Sequence, residues 1–150
     1  MRGLFTQTLI APEQAIDVNG HVNNLEYLRW MQEIATAHSA AQGWDLARYQ
    51  QTRTSWVIRS HAIEYLRPAF AGETMLLGTW IAGFGEQMSP RKYLFLRADD
   101  RKILARAETL WVYVDATIGR PCLIPETFRE AFTVIADEAE ALQRMAKLAL

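Results

Sequence analysis

Cysteine is nearly absent from this 150-residue chain: Cys122 stands alone. An intramolecular disulfide and a cysteine-based zinc cluster are thereby excluded, and a reducing compartment is the natural setting. No stretch approaches the roughly 18 to 20 apolar residues that cross a bilayer, and Arg2 is followed by no apolar segment with a cleavage site. A cytoplasmic protein without a membrane span is therefore expected. Net charge is lacking too, at -1, which gives no global attraction to nucleic acid or to an anionic membrane. The three histidines, His21, His38 and His61, show no metal-ligand spacing, so no metal is expected. Neither an internal repeat nor a low-complexity tract is present, which excludes solenoids and arrays.

What remains is a globular composition. Half the residues are apolar and 22% are charged, and the length suits one domain over residues 1–150, able to bury a sizeable core unaided. Leu4 to Ile10 reads as a first strand that stops before Pro12. Asn23 with Glu26 three residues on has capping-box spacing, and neither Gly nor Pro follows until Gly43, predicting one long helix. Leu28, Met31 and Ala35, flanked by Tyr27, Trp30, Ile34 and Ala41, make much of that helix apolar, as a buried helix requires. Gly43 suits the position after the helix end, and Asp45 can cap a short turn through Tyr49.

From Thr54 the pattern changes to strands: Thr54 to Leu66, Thr74 to Ile81, Arg91 to Ala98 and Ile103 to Asp115, each bounded by Gly, Pro or Asp. Asp99 and Asp100 make an antiparallel hairpin of the last two. Beyond Pro121 and Pro125 the chain turns helical, ending in an amphipathic stretch from Ala136 to Ala149. One largely apolar helix followed by strands predicts an α+β fold, a curved antiparallel sheet of about five strands wrapped around the long helix.

The junction of loop and helix carries the densest motif, Asp17-x-Asn19-x-His21-Val22-Asn23-Asn24-x-x-Tyr27. It resembles the signature of plant-type acyl-ACP thioesterases and of bacterial acyl-CoA thioesterases related to 4-hydroxybenzoyl-CoA thioesterase. Glu64-Tyr65-Leu66-Arg67-Pro68 with Ala71-Gly72-Glu73 is similar to the second-strand exit of that family. Trp111-Val112 through Asp115, Gly119-Arg120-Pro121 and Ile124-Pro125-Glu126 resemble its C-terminal part. The likeness implies a hotdog fold, paired into a homodimer or homotetramer by edge-to-edge joining of sheets. It also implies an enzyme that hydrolyses an acyl-CoA or acyl carrier protein thioester without a cofactor, CoA entering as part of the substrate.

Thioester hydrolysis needs a nucleophile or activated water, and something to stabilise charge on the carbonyl oxygen. A capped helix leaves the amides of Asn24, Leu25 and Glu26 without intrahelical partners at the positive end of the helix dipole. By resemblance, Asp17 is the acting carboxylate and the Asn24 amide polarises the carbonyl, with Asn19 and His21 as orienting groups. Read from the residues alone, Asp17 and Asn19 equally form an Asx-type turn with His21 packed beside it.

Two departures bear on substrate. Plant-type enzymes carry an acidic residue and a cysteine after the Glu-Tyr-basic run, where this chain has Leu66, Arg67, Pro68 and Ala69, which favours the bacterial type. The aromatic-acyl relative has a basic cluster where this chain has Gly85, Glu86, Gln87 and Met88. Arg91 and Lys92 are the nearest substitutes for holding CoA phosphates, against the alternative of a solvated pair at a strand start. Tyr27, Leu28, Met31 and Trp56 are candidates for the acyl pocket. Rival readings are a hotdog hydratase or dehydratase and a non-hydrolytic acyl-binding or scaffold protein.

Overall fold

A computed structural model describes residues 3–150. The elements run β1 (Phe5–Ile10), a 3-10 turn at Glu13–Ala15, α1 (Asn24–Ala41), α2 (Leu46–Thr52), β2 (Thr54–Tyr65), β3 (Thr74–Ile81), β4 (Met88–Arg97), β5 (Ile103–Asp115), β6 (Arg120–Pro121), α3 (Glu126–Ala131) and α4 (Glu138–Ala146). The strands form one sheet in the order β1-β3-β4-β5-β2, with β6 added to β5, and every pairing is antiparallel. Mixed α+β architecture and the helix-wrapping sheet agree with the pattern read from the sequence.

β3 is apolar almost throughout because it is covered on both faces. Met75 and Leu77 enter the core that surrounds α1, whereas Leu76 and Trp80 pack with Ala141 and Met145 of α4. Such a strand loses the polar alternation of a half-exposed one. Gly78 belongs to the α4 face, and a Cβ there would displace the end of the Met145 side chain, so the glycine lets that methionine pack directly on the sheet.

The same parity orders β4. Tyr93 and Phe95 point into the α1 core and Leu94 and Leu96 into the α4 core. Two residues back along the period-2 alternation, Arg91 shares the side of Tyr93. β4 begins at Met88, three residues before the expected start, and so places Arg91 and Lys92 inside the strand. Pro90 stands where the pairing with β3 runs out: Ala82 donates its amide to the Pro90 carbonyl at 2.9 Å, and only the reciprocal bond, at the end of the ladder, is lost with the missing N–H.

α1 lies across the concave face. Its buried residues are Tyr27, Trp30, Met31, Ile34, Ala35 and His38, the i, i+3, i+4 spacing of one helical face. The helix therefore has two functionally separate ends: an N-terminus next to the Asp17 motif, and a C-terminal half under α2 and the start of β2.

Candidate active site

The motif is a tight loop closed by backbone. Ile16 and Val22 form an isolated antiparallel bridge. Inside it the Asp17 amide donates to the His21 carbonyl at 2.7 Å and the Gly20 amide to the Asp17 carbonyl at 3.1 Å. Gly20 has φ of +80°, a conformation that a side chain disfavours. The Asp17 carboxylate secures the turn, since its Oδ1 accepts from the amides of Asn19 at 2.9 Å and His21 at 3.1 Å. Its Oδ2 accepts from no described residue. One carboxylate oxygen is thus structural and the other is available, in a side chain that is only half-buried.

Neighbouring segments hold this loop in place. Val22 donates to the Ala69 carbonyl at 2.8 Å and Asn23 to the Ala15 carbonyl at 2.7 Å. The His21 ring meets Phe70 edge to face at 5.3 Å. Two stretches read separately in the sequence, the Asp17 motif and the Glu64 to Glu73 exit, therefore meet here. Asn19 is exposed and takes part through its backbone amide.

Asn23 caps α1, with its Oδ1 accepting from the Leu25 amide at 2.9 Å. The expected reciprocal half of a capping box is not formed. The Asn23 amide is already taken by Ala15, so the Glu26 carboxylate pairs with Arg29 instead. Nor do three helix amides stay unpaired: Leu25 is satisfied by the Asn23 side chain and Glu26 by the Asn23 carbonyl at 2.9 Å. Only the Asn24 amide has no hydrogen-bond acceptor among the described residues. Capping has reduced a diffuse positive terminus to a single aimed donor.

Tyr27 sits elsewhere than expected of a substrate contact. It is 2% exposed and packs edge to face against Trp30, Tyr65 and Phe95, so it is part of the core. Burial foremost pushes its hydroxyl up to about 12. The Tyr65 hydroxyl donates to the Asn24 carbonyl at 3.2 Å, tying the end of β2 to the first turn of α1.

Arg91 departs further from expectation. Strand parity turns it away from solvent, leaving it 5% exposed, which removes it from any surface clamp for CoA phosphates. Its Nη1 donates to His38 Nδ1 at 2.9 Å and to Thr79 Oγ1 at 3.1 Å. A guanidinium only donates, so His38 accepts through Nδ1 and carries its proton on Nε2. Burial, and then the Arg91 charge, lower the His38 imidazole to about 3. Burial likewise lowers Arg91 from its ordinary value. Lys92 lies on the opposite, half-exposed side, across from Glu108 of β5.

Arg91 forms part of the wall of a cavity of about 290 Å³ beneath the C-terminal half of α1, with Ile81, Trp44, Trp56, Trp111 and Phe128 around it. Leu46 and Thr36, both exposed, lie at its rim. Trp56, Trp44 and Tyr49 line this cavity; His38 is not in its lining and reaches it through the hydrogen bond to Arg91. The signal for a buried His38 was its position one helical turn beyond Ile34 on the buried face of α1.

Residues 11–132 match the family model of the thioesterase-like superfamily. The chain belongs to that superfamily. No curated protein sequence matches it. Among solved structures it is similar to a 1,4-dihydroxy-2-naphthoyl-CoA thioesterase from Synechocystis, at 19% identity and TM-score 0.78 over 86% of this chain and 95% of the other. A Staphylococcus aureus protein in complex with CoA gives 15% identity and TM-score 0.81 over 100% of this chain and 90% of the other. An acyl-ACP thioesterase from Bacteroides thetaiotaomicron gives 20% identity and TM-score 0.76, over 81% of this chain and 50% of that one. The shared fold is the hotdog. Among the described residues no helix is long and apolar enough to cross a membrane.

Proposed function

We propose that the chain hydrolyses acyl thioesters of CoA, with acyl carrier protein as the alternative carrier, at the loop before α1. The observation that carries this reading is one half-free carboxylate, Asp17, in the turn that leads into a helix whose first amide, Asn24, is the unpaired one. Family membership and the relatives named above support it. Asp17 acts as general base or as nucleophile, and the thioester carbonyl oxygen docks on the Asn24 N–H, where the helix dipole adds to the hydrogen bond. As base, Asp17 takes a proton from water, hydroxide adds to the carbonyl carbon, and the C–S bond breaks. As nucleophile, it forms an anhydride that water then opens. Either way one water is consumed and a carboxylic acid and a thiol are released, with no cofactor involved. Asn19 and His21 orient the loop: the first through its amide on Asp17, the second through its amide and its ring on Phe70.

A homodimer belongs to the same proposal. β2 is an end strand of the sheet, 12 residues long, and a long open edge is safest when paired with a copy of itself. Antiparallel self-pairing about its middle would set the Tyr65 end, with Asn24, beside the partner's copy of the Ser55 end. Light scattering at the mass of one chain would refute the dimer.

The experiment follows thiol release from a panel of acyl-CoA and acyl carrier protein thioesters, comparing wild type with Asp17→Asn. Hydrolysis in wild type and its collapse in the variant are expected. Equal rates would remove Asp17 from the chemistry. Tight acyl-CoA binding with no turnover anywhere in the panel would make the protein a binder rather than an enzyme.

A further inference from the structure

The cavity under the C-terminal half of α1 is chemically unlike the Asp17 loop. By helix rise its α1 residues, Ala35 to Ala40, lie roughly 17 to 24 Å along the axis from Asn24. Trp44, Trp56, Trp111 and Phe128 give it apolar aromatic walls, and Arg91 is the cation buried in them. Its volume falls at the small end of the range for small-molecule sites.

Arg91 is the anomaly. Among the described residues no carboxylate comes within ion-pair distance of it, although Arg29, Arg97, Arg106 and Arg144 all have acidic partners. The two groups that it does meet, neutral His38 and the Thr79 hydroxyl, occupy Nη1 alone. A guanidinium has five N–H donors in a planar fork. The Nε and Nη2 donors of Arg91 reach no acceptor among the described residues. An unpaired charge is costly to bury, and a planar fork matches a carboxylate with two parallel bonds. Among the described residues no other basic side chain lines the cavity, and Asp45 stands at its rim, so the field suits one negative charge and disfavours a phosphate carrying two.

We propose that this cavity binds a small carboxylic acid by its carboxylate, which pairs with Arg91 while an apolar or aromatic body lies against the tryptophans. Two sources share that chemistry: a free organic acid, or the distal carboxylate of an ω-carboxylated acyl chain. The second source rests on the thioesterase reading. The binding itself does not.

The test uses the full chain and cyclohexanecarboxylate, with its uncharged amide as the control, followed through tryptophan fluorescence since three indoles line the cavity. Saturable binding of the acid, about 10- to 100-fold tighter than the amide, is expected from a charge-assisted bidentate contact. Arg91→Met should abolish the difference, and Arg91→Lys, which keeps the charge and loses the fork, should retain a part of it. If Arg91→Met does not fold, the acid and amide pair in wild type together with Arg91→Lys decides. Equal affinity of acid and amide in wild type, or no saturable signal from the acid, overturns the proposal.

A second arm assigns the source. A length series of ω-carboxylated acyl-CoAs is compared with the unsubstituted acyl-CoAs for kcat/KM in wild type and Arg91→Met. A preference for the carboxylated series that vanishes in the variant assigns the acyl chain, and acid binding with no such preference assigns a free acid. If no thioester is hydrolysed at all, the fluorescence arm still reads the cavity, so failure of the enzyme assignment and failure of the site are told apart.

Discussion

The two ends of α1 are built on opposite principles. At the N-terminus a polar, partly exposed loop is held by backbone hydrogen bonds, with Asp17 supplying one oxygen to the turn and keeping the other. At the C-terminal half, aromatic rings pack around a buried cation, Phe128 alone meeting Trp44, Trp56, Phe84 and Phe132. A hydrogen-bonded loop loses function when a chemical group is altered with shape intact. A packed cavity loses stability when volume is removed. The difference predicts which substitutions will be read by kinetics and which by melting.

The sharpest break between the two is Asp17→Asn. The amide keeps an Oδ1 acceptor for Asn19 and His21, so the turn survives, but it is neither base nor nucleophile. Turnover should fall by about 10²- to 10⁴-fold while stability moves by no more than about 0.5 kcal/mol. Asp17→Ala should add a stability loss of about 1 kcal/mol from the two orphaned amides. A rate loss in Asp17→Asn matched by an equal fall in melting temperature would mean that the carboxylate is structural after all.

Phe128→Ala tests the packed end. Truncating a buried phenylalanine costs about 3–5 kcal/mol, whereas Phe70→Ala, at 43% exposure beside the Asp17 loop, should stay within about 1 kcal/mol. Urea denaturation followed by circular dichroism separates them. Comparable losses would show that the loop, too, depends on aromatic packing.

What could be read in advance divides along the same line. β3 and β5 are bounded as their composition predicts, Thr74–Ile81 and Ile103–Asp115, because period-2 patterns and turn residues act over a few positions. Asn23 was legible as a cap for the same reason. The failed capping box was not, because the competing partner is the Ala15 carbonyl, brought in by the 3-10 turn and not by helix sequence. Arg91 misled for a related cause. Its charge suggests solvent, and only strand parity with Tyr93 and Phe95 reveals that it faces α1. The Asp17 loop is contiguous in sequence and so could be found, while the cavity draws on α1, α2, β2, β3, β4, β5 and α3, an assembly that no single window contains.

His38 links the cavity to pH. Its folded value, about 3, lies below the unfolded reference of 6.5, so the unfolded chain takes up a proton that the folded chain refuses. Where the unfolded state binds more protons, stability rises with pH. The contribution is therefore intact above pH 6.5 and declines as pH falls towards 3. Between pH 6.5 and 5 the loss is roughly 1.5 kcal/mol. His38→Gln retains an acceptor for Arg91 and does not titrate, so its denaturation midpoint should fall less steeply over that interval. Identical slopes would place the acid sensitivity elsewhere, His61 being the other histidine that burial lowers.

The smallest effect returns to the N-terminal end. Asn23→Ala removes the oxygen that holds the Leu25 amide, a loss of about 1 kcal/mol for an N-cap. Its kinetic consequence depends on what the cap does for the neighbouring donor. With Leu25 satisfied, the Asn24 amide is the one donor of the first turn without an acceptor among the described residues; without the cap, Leu25 competes for the carbonyl oxygen and the first turn loosens. Turnover in Asn23→Ala should fall by roughly 10-fold with KM little changed, because the donor acts on charge that develops in the transition state. A rise in KM at constant kcat would mean that the helix end serves ground-state binding, which would leave carbonyl polarisation to a group other than Asn24.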